Sequence, residues 1–236
     1  MIYPIRTYGD PILRRRAPLV TTFDADLARL AADMVETMYA ADGIGLAAPQ
    51  IGIGKRMFVA LEVAARDDDE HEGAGQLADP DDTELAVHSA AADEDLDGED
   101  QPPETPEQKR RAWGVVKEHV IINPVMVSRS GRQYGRDGCL SLPGLVVDEV
   151  PRALSVVLDY QDLEGHQQRL AAEGYFAHVL QHEFDHLEGV LFFDHLPPAR
   201  RDQFLEENRA QLAQWQRDAR ARLKSPAGQH QRSRAG

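Results

Sequence analysis

Residues 174–187 read Gly-Tyr-Phe-Ala-His-Val-Leu-Gln-His-Glu-Phe-Asp-His-Leu. Phe176, Val179, Leu180, Phe184 and Leu187 recur there at helical spacing, and Gly189 follows as a stop signal. Inside this predicted helix lies His182-Glu183-Phe184-Asp185-His186. An i, i+4 separation puts both imidazoles on one face, about 6 Å apart at Cβ, close enough to share one cation. Glu183 follows the first imidazole by one residue, where it reaches a water beside the cation rather than the cation itself, the place of a general base. The plain alternative is an exposed polar helix face.

Outward from this helix, other periodicities define the frame. Leu27, Leu30, Ala31, Met34 and Met38 mark an amphipathic helix from Asp24 to Asp42, closed by Gly43. Arg56 to Val63, Val120 to Val127 and Leu154 to Tyr160 are rich in branched or aromatic residues and read as strands, with turn signals at Gly131, Gly135, Gly144 and Gly165. A final helix is expected from Pro198 to Leu223. Strands in the middle and helices at both ends predict an α+β fold, since a parallel sheet needs helices alternating with strands. The expected architecture has short, mostly antiparallel strands packed around a central metal-binding helix, with an N-terminal and a C-terminal helix.

The formal charge of −14 over 236 residues is unevenly placed. Between Arg66 and Glu107 there are 17 Asp/Glu and one base, while the rest carries 23 acids and 25 bases and is therefore slightly basic. Residues 64–111 have almost no periodic apolar residues, so they cannot bury enough surface to offset the entropy of ordering. They are expected to be a disordered acidic insertion in a catalytic unit formed by residues 1–63 and 112–197, followed by the helix 198–223 and a flexible tail 224–236. One cysteine, Cys139, excludes an internal disulfide and fits a reducing compartment. The N-terminus lacks an apolar signal region, and no run approaches 18 apolar residues, so a cytoplasmic protein without membrane or specific DNA partners is expected.

A catalytic metal usually takes three protein ligands and keeps one position for water. Glu206 and Glu207 lie about where a thermolysin-like peptidase places its third ligand. A metzincin-like continuation fails, because its third His would fall on Phe192. Cys139 is the third candidate, as a thiolate suits a borderline metal.

Cys139 stands in Asp137-Gly138-Cys139-Leu140-Ser141, downstream of Gly43-Ile44-Gly45-Leu46-Ala47-Ala48-Pro49-Gln50 and upstream of Gln181 and the His-Glu-x-x-His helix. In these three ordered motifs, and from about Tyr3 to Leu196 outside the insertion, the chain resembles the peptide deformylases. The resemblance implies metal-dependent hydrolysis of the N-formyl group from formyl-methionyl nascent peptides. It implies Cys139, His182 and His186 as metal ligands and Glu183 as the base that takes a proton from water and delivers it to the leaving amine. Gln50 and the backbone N–H of Leu140 would stabilise the oxyanion, and Gly45 would let the substrate backbone approach. The implied metal is Fe²⁺, with Zn²⁺, Ni²⁺ or Co²⁺ able to use the same ligands. An iron–thiolate site should be labile to oxygen.

Three positions depart from the pattern. Asp137 replaces the usual Glu and is expected to support the site from behind the ligands. His178 and His195 stand where the family more often has Arg, and neither is assigned to the metal. The C-terminal helix carries Arg200, Arg201, Arg209, Arg217, Arg220 and Arg222, a basic set that gives an enzyme of nascent chains a means of docking on the ribosome, although Asp202, Glu206, Glu207 and Asp218 dilute it. Two other functions compete: a metallopeptidase using Glu206 or Glu207, and a binding module with a structural metal, which would normally close with a fourth protein ligand.

Overall fold

The computed structural model describes residues 1–64 and 105–224. Five strands form an antiparallel sheet in the order β1 (Gly45–Ala47), β2 (Met57–Val63), β3 (Val115–Ser130), β6 (Ser155–Gln161) and β7 (Gln167–Glu173). A separate hairpin pairs β4 (Gln133–Gly138) with β5 (Val146–Arg152). The α+β architecture expected from the order of elements is therefore present, with every strand pair antiparallel.

Side-chain alternation explains how the sheet is covered. On β2, Met57, Val59 and Leu61 pack towards α1 (Ala25–Ala40), while Phe58 and Ala60 pack towards α3 (Gly174–Glu188). Successive residues of a strand face opposite sides, so a sheet between two helices needs a continuous apolar run, and Met57 to Leu61 supplies one. A third cluster joins Leu142 and Val150 to Phe192, Phe193 and Phe204 and to Leu212 and Trp215 of the C-terminal region. The central helix is thus walled in: every residue from Ala177 to Leu187 is buried.

Helix ends follow their capping chemistry. Asp24 caps α1, its carboxylate accepting from the N–H groups of Asp26 and Leu27. The other end closes with a reversal in which Asp42 N–H donates to Tyr39 O and Gly43 N–H to Met38 O. Asp42, not Gly43, takes the left-handed conformation, at φ +54°.

Three expectations need correction. The acidic insertion was expected to reach Arg111, yet Pro106–Ala112 forms α2, because Thr105 and Gln108 make a reciprocal capping box and Trp113 stacks on Tyr39 of α1. The rest of that stretch, residues 65–104, lies outside the described residues, as does the tail from 225. The single helix expected over 198–223 is two, α4 (Pro198–Glu207) and α5 (Arg209–Lys224), parted at Asn208, whose side-chain amide donates to Phe204 O. Gly135 is not in a turn but inside β4, where a Cβ would sit 2.8 Å from His178 Nδ1.

Candidate metal centre and catalytic cleft

Cys139 follows the last residue of β4, at the start of the loop joining β4 to β5, and His182 and His186 face it from α3. His186 Nε2 lies 3.2 Å from Cys139 Sγ and 3.2 Å from His182 Nε2. The three donor atoms fall within 4.8 Å of one another. Gln50 Nε2 donates to the same sulfur at 3.5 Å and Ser141 N–H at 3.4 Å. The three candidate donor atoms are therefore close enough to meet one ion.

Burial makes the electrostatics severe. Burial by itself would raise the Cys139 thiol, but the imidazoles of His186 and His182 bring it down to about 5, so the sulfur is poised as a thiolate. Glu183 moves the other way, since burial raises its carboxyl to about 7 against the pull of both imidazoles. Its Oε2 has no hydrogen-bond partner among the described residues, a costly state for a buried oxygen unless a further group meets it there. Gly45 lies against this carboxyl, and a Cβ there would overlap Glu183 Oε1. Gln50 is held by its own carbonyl, which accepts from Ala47 N–H at 2.7 Å and leaves the amide NH₂ turned towards Cys139.

Behind the donors, Asp137 takes the supporting place expected for it. Its Oδ1 accepts from His182 Nδ1 at 2.7 Å, which leaves Nε2 as the free donor atom, and Oδ2 accepts from Arg152 at 2.8 Å and lies 3.1 Å from His178 Nε2. Burial opposes ionisation of Asp137, yet His182, His178 and Arg152 together hold it far below the usual carboxylate range. For His182 burial again works against charge, and the Asp137 carboxylate overcomes it and raises the imidazole well above its ordinary value. Arg152 also bonds Asp185, whose Oδ2 meets His195 Nε2 at 2.7 Å. His178 and His195 therefore each face a carboxylate, the partner an Arg would also seek, and neither belongs to the donor group.

Arg152, with its side chain 2 % exposed, was missed from the sequence. Nothing in Val150-Pro151-Arg152 marks it as buried, since a lone base at a strand end is ordinarily solvated. Gln181 clamps the helix instead of touching the donors: its carbonyl accepts from Ala153 N–H and its NH₂ donates to Ala153 O and Ala177 O, each at 2.9 Å.

The expected site residues other than His186 share one cleft of about 430 Å³. Gly43 to Gly45 and Gln50 line one wall, Asp137 to Leu140 a second, and His178, Val179, His182 and Glu183 a third. Glu206 and Glu207 do not take part. Both are exposed on α4, where Glu206 pairs with Arg209 and Glu207 accepts from Gln203. The third ligand required by the peptidase reading is thus on the wrong surface.

The polypeptide deformylase family model matches residues 2–202. Peptide deformylase of Thermus thermophilus is 47 % identical over 224 residues, covering 95 % of this chain and 97 % of that protein. The Thermotoga neapolitana peptide deformylase is 36 % identical over 201 residues, or 85 % and 90 % of the two chains. A crystal structure of the Thermus thermophilus peptide deformylase superposes with a TM-score of 0.69 at 42 % identity, covering 92 % of this chain and 99 % of its own. That of the Plasmodium falciparum enzyme gives 0.65 at 30 %, covering 94 % and 100 %.

Proposed function

This chain belongs to the polypeptide deformylase family, metal-dependent hydrolases that remove the N-formyl group from nascent peptides, and from that premise we propose that Cys139, His182 and His186 hold its metal and Glu183 is its general base. The observation that carries the assignment is the convergence of the three donor atoms within 4.8 Å beside a buried, unpartnered carboxyl oxygen. The donor set suits a borderline divalent ion: a sulfur poised as thiolate and two imidazoles, one fixed by Asp137. Fe²⁺ is the proposed occupant, with Zn²⁺, Ni²⁺ or Co²⁺ able to use the same ligands. Once bound, such an ion polarises the formyl carbonyl as a Lewis acid and makes a nearby water more acidic.

The residues around it divide the remaining work. Glu183, whose buried Oε2 has no partner among the described residues, takes a proton from the attacking water and returns it to the leaving amine. Gln50 Nε2 and the Leu140 N–H donate to the oxyanion that develops on the formyl carbonyl, and losing one such donor commonly costs about 3 to 4 kcal/mol of barrier. Gly45 leaves room for substrate beside Glu183. Ile44, Leu145 and Val179 give the cleft the apolar lining that a methionine side chain fits. Release of formate from a formyl-Met dipeptide, with no cleavage of an internal peptide bond, is the expected result; the reverse would return the peptidase reading.

We also propose docking on the ribosome through α5, and a cytoplasmic location with it. Leu212, Trp215 and Ala219 are buried, while Arg209, Arg217, Arg220 and Lys224 stay exposed along one flank, which supports a phosphate-facing surface. Among the described residues no helix is long and apolar enough to cross a membrane. Co-sedimentation with ribosomes should weaken steeply with salt and be lost on reversing Arg217 and Arg220 to Glu; binding indifferent to both would remove α5 from consideration.

A further inference from the structure

We infer that Lys109 is a positioning residue for substrate binding, its ammonium tying α2 to Asp42 and so fixing the wall of the cleft along which the formylated peptide lies. The inference rests on the deformylase reading of that cleft. Lys109 Nζ donates to Tyr39 O at 2.9 Å, bonds the Asp42 carboxylate, and sits 5.8 Å from the centre of the Trp113 ring. Its side chain is only 13 % exposed although α2 buries no residue fully. A lysine so placed on a solvated helix is a fastener rather than a surface charge. It also completes the end of α1, where a cation beside the last carbonyls opposes the negative pole of the helix.

What it fastens matters for the cleft. Asp42 holds φ +54°, a conformation that is unfavourable for a residue with a side chain and persists only where its surroundings enforce it. From this residue the chain turns out of α1 into Gly43, Ile44 and Gly45, all three lining the cleft. The path is close-fitting on both sides. A Cβ on Gly43 would sit 2.8 Å from Leu140 Cδ1, and one on Gly45 would overlap Glu183. β1 is also the edge strand of the sheet, paired only with β2 among the described residues. The Asp42 carboxylate is itself largely exposed, so the anchor at the start of the wall is the mostly buried Lys109 ammonium, held by Tyr39 O as well as by Asp42, outside the donor group.

The test compares full-length wild-type protein with Lys109→Met, Lys109→Arg and Asp42→Asn on a formyl-Met tripeptide. Lys109→Met is expected to raise KM about 5- to 10-fold while kcat stays within about 2-fold, because a wall that wanders weakens binding without removing a reacting group. Lys109→Arg keeps charge and reach and should restore KM. Asp42→Asn should match Lys109→Met, and the double variant should add less than about 2-fold, as two halves of one contact do. An unchanged KM in Lys109→Met overturns the inference. So does a fall carried by kcat, with a lower Tm and no rescue by Arg, which would make Lys109 a stabilising residue and nothing more. If wild-type protein itself releases no formate, the deformylase reading falls and this inference with it, an outcome distinct from the other two.

Discussion

Asp137 shows how much a single side chain can settle. One carboxylate orients His182, shares Arg152 with Asp185 and meets His178, so its loss would take one of two carboxylates from a buried guanidinium and leave His182 without its acceptor. Asp137→Ala is expected to weaken metal binding about 10- to 100-fold, read by competition with a coloured chelator, with the residual activity following metal content. Glu183 separates chemistry from ligation. Glu183→Gln should keep the metal stoichiometric while kcat falls about 10²- to 10⁴-fold, and near-normal turnover would remove it as the base. The same residue carries a stability effect in metal-free protein. Its folded-state carboxyl titrates at about 7 against 4.5 when unfolded, so the folded state holds the extra proton between those values. Stability from this group is complete below pH 4.5 and is lost as pH rises through 7. Metal-free Glu183→Gln should therefore melt above wild type at about pH 8, by an amount on the order of 3 kcal/mol, and the difference should vanish near about pH 4.5.

Elements were legible to different degrees, for physical reasons. The central helix could be read because its apolar period and its two imidazoles share one segment, and β2 because a strand covered on both faces must be apolar throughout. The third member of the donor group could not be found from spacing alone, since Cys139 meets His186 across 47 positions of chain, and the motif resemblance had to choose it over Glu206 and Glu207. α2 was hidden because no apolar stripe announces it. It is held by a capping box, a ring stack and one lysine, none of which has a period. The break at Asn208 and the placement of Gly135 within β4 depend on what packs against them, which no local pattern records. Gly189 shows where an element ends by necessity. At φ +75°, with a Cβ that would lie 2.7 Å from the backbone of Arg14, Gly189→Ala should lower stability by about 2 kcal/mol or more in chemical denaturation, and a neutral result would contradict that close contact.

At the scale of the whole molecule, the acidic segment is inserted between two strands that pair with each other. Ala64 N–H donates to Gly114 O at 2.9 Å and Val63 pairs with Val115, so β2 and β3 are joined at the point where the chain departs and comes back. Loop closure costs only about 0.6 kcal/mol per doubling of length, which makes the length of the connection thermodynamically cheap to change. Replacing residues 66–104 with a short Gly/Ser linker, and keeping α2, should leave formate release within a few-fold of wild type. A large loss would show that the removed residues contribute to the cleft.

The donor set also has a history in time. His182 and His186 stand four residues apart and are in place as soon as their helix forms, whereas the thiol arrives only when the β4–β5 hairpin has docked on that helix. With the ligands proposed above, uptake of the ion during refolding is expected to mark the long-range closure and not the local winding. A stopped-flow trace of metal capture should lag the recovery of helical signal, which makes the ion a clock for the last assembly step of the fold.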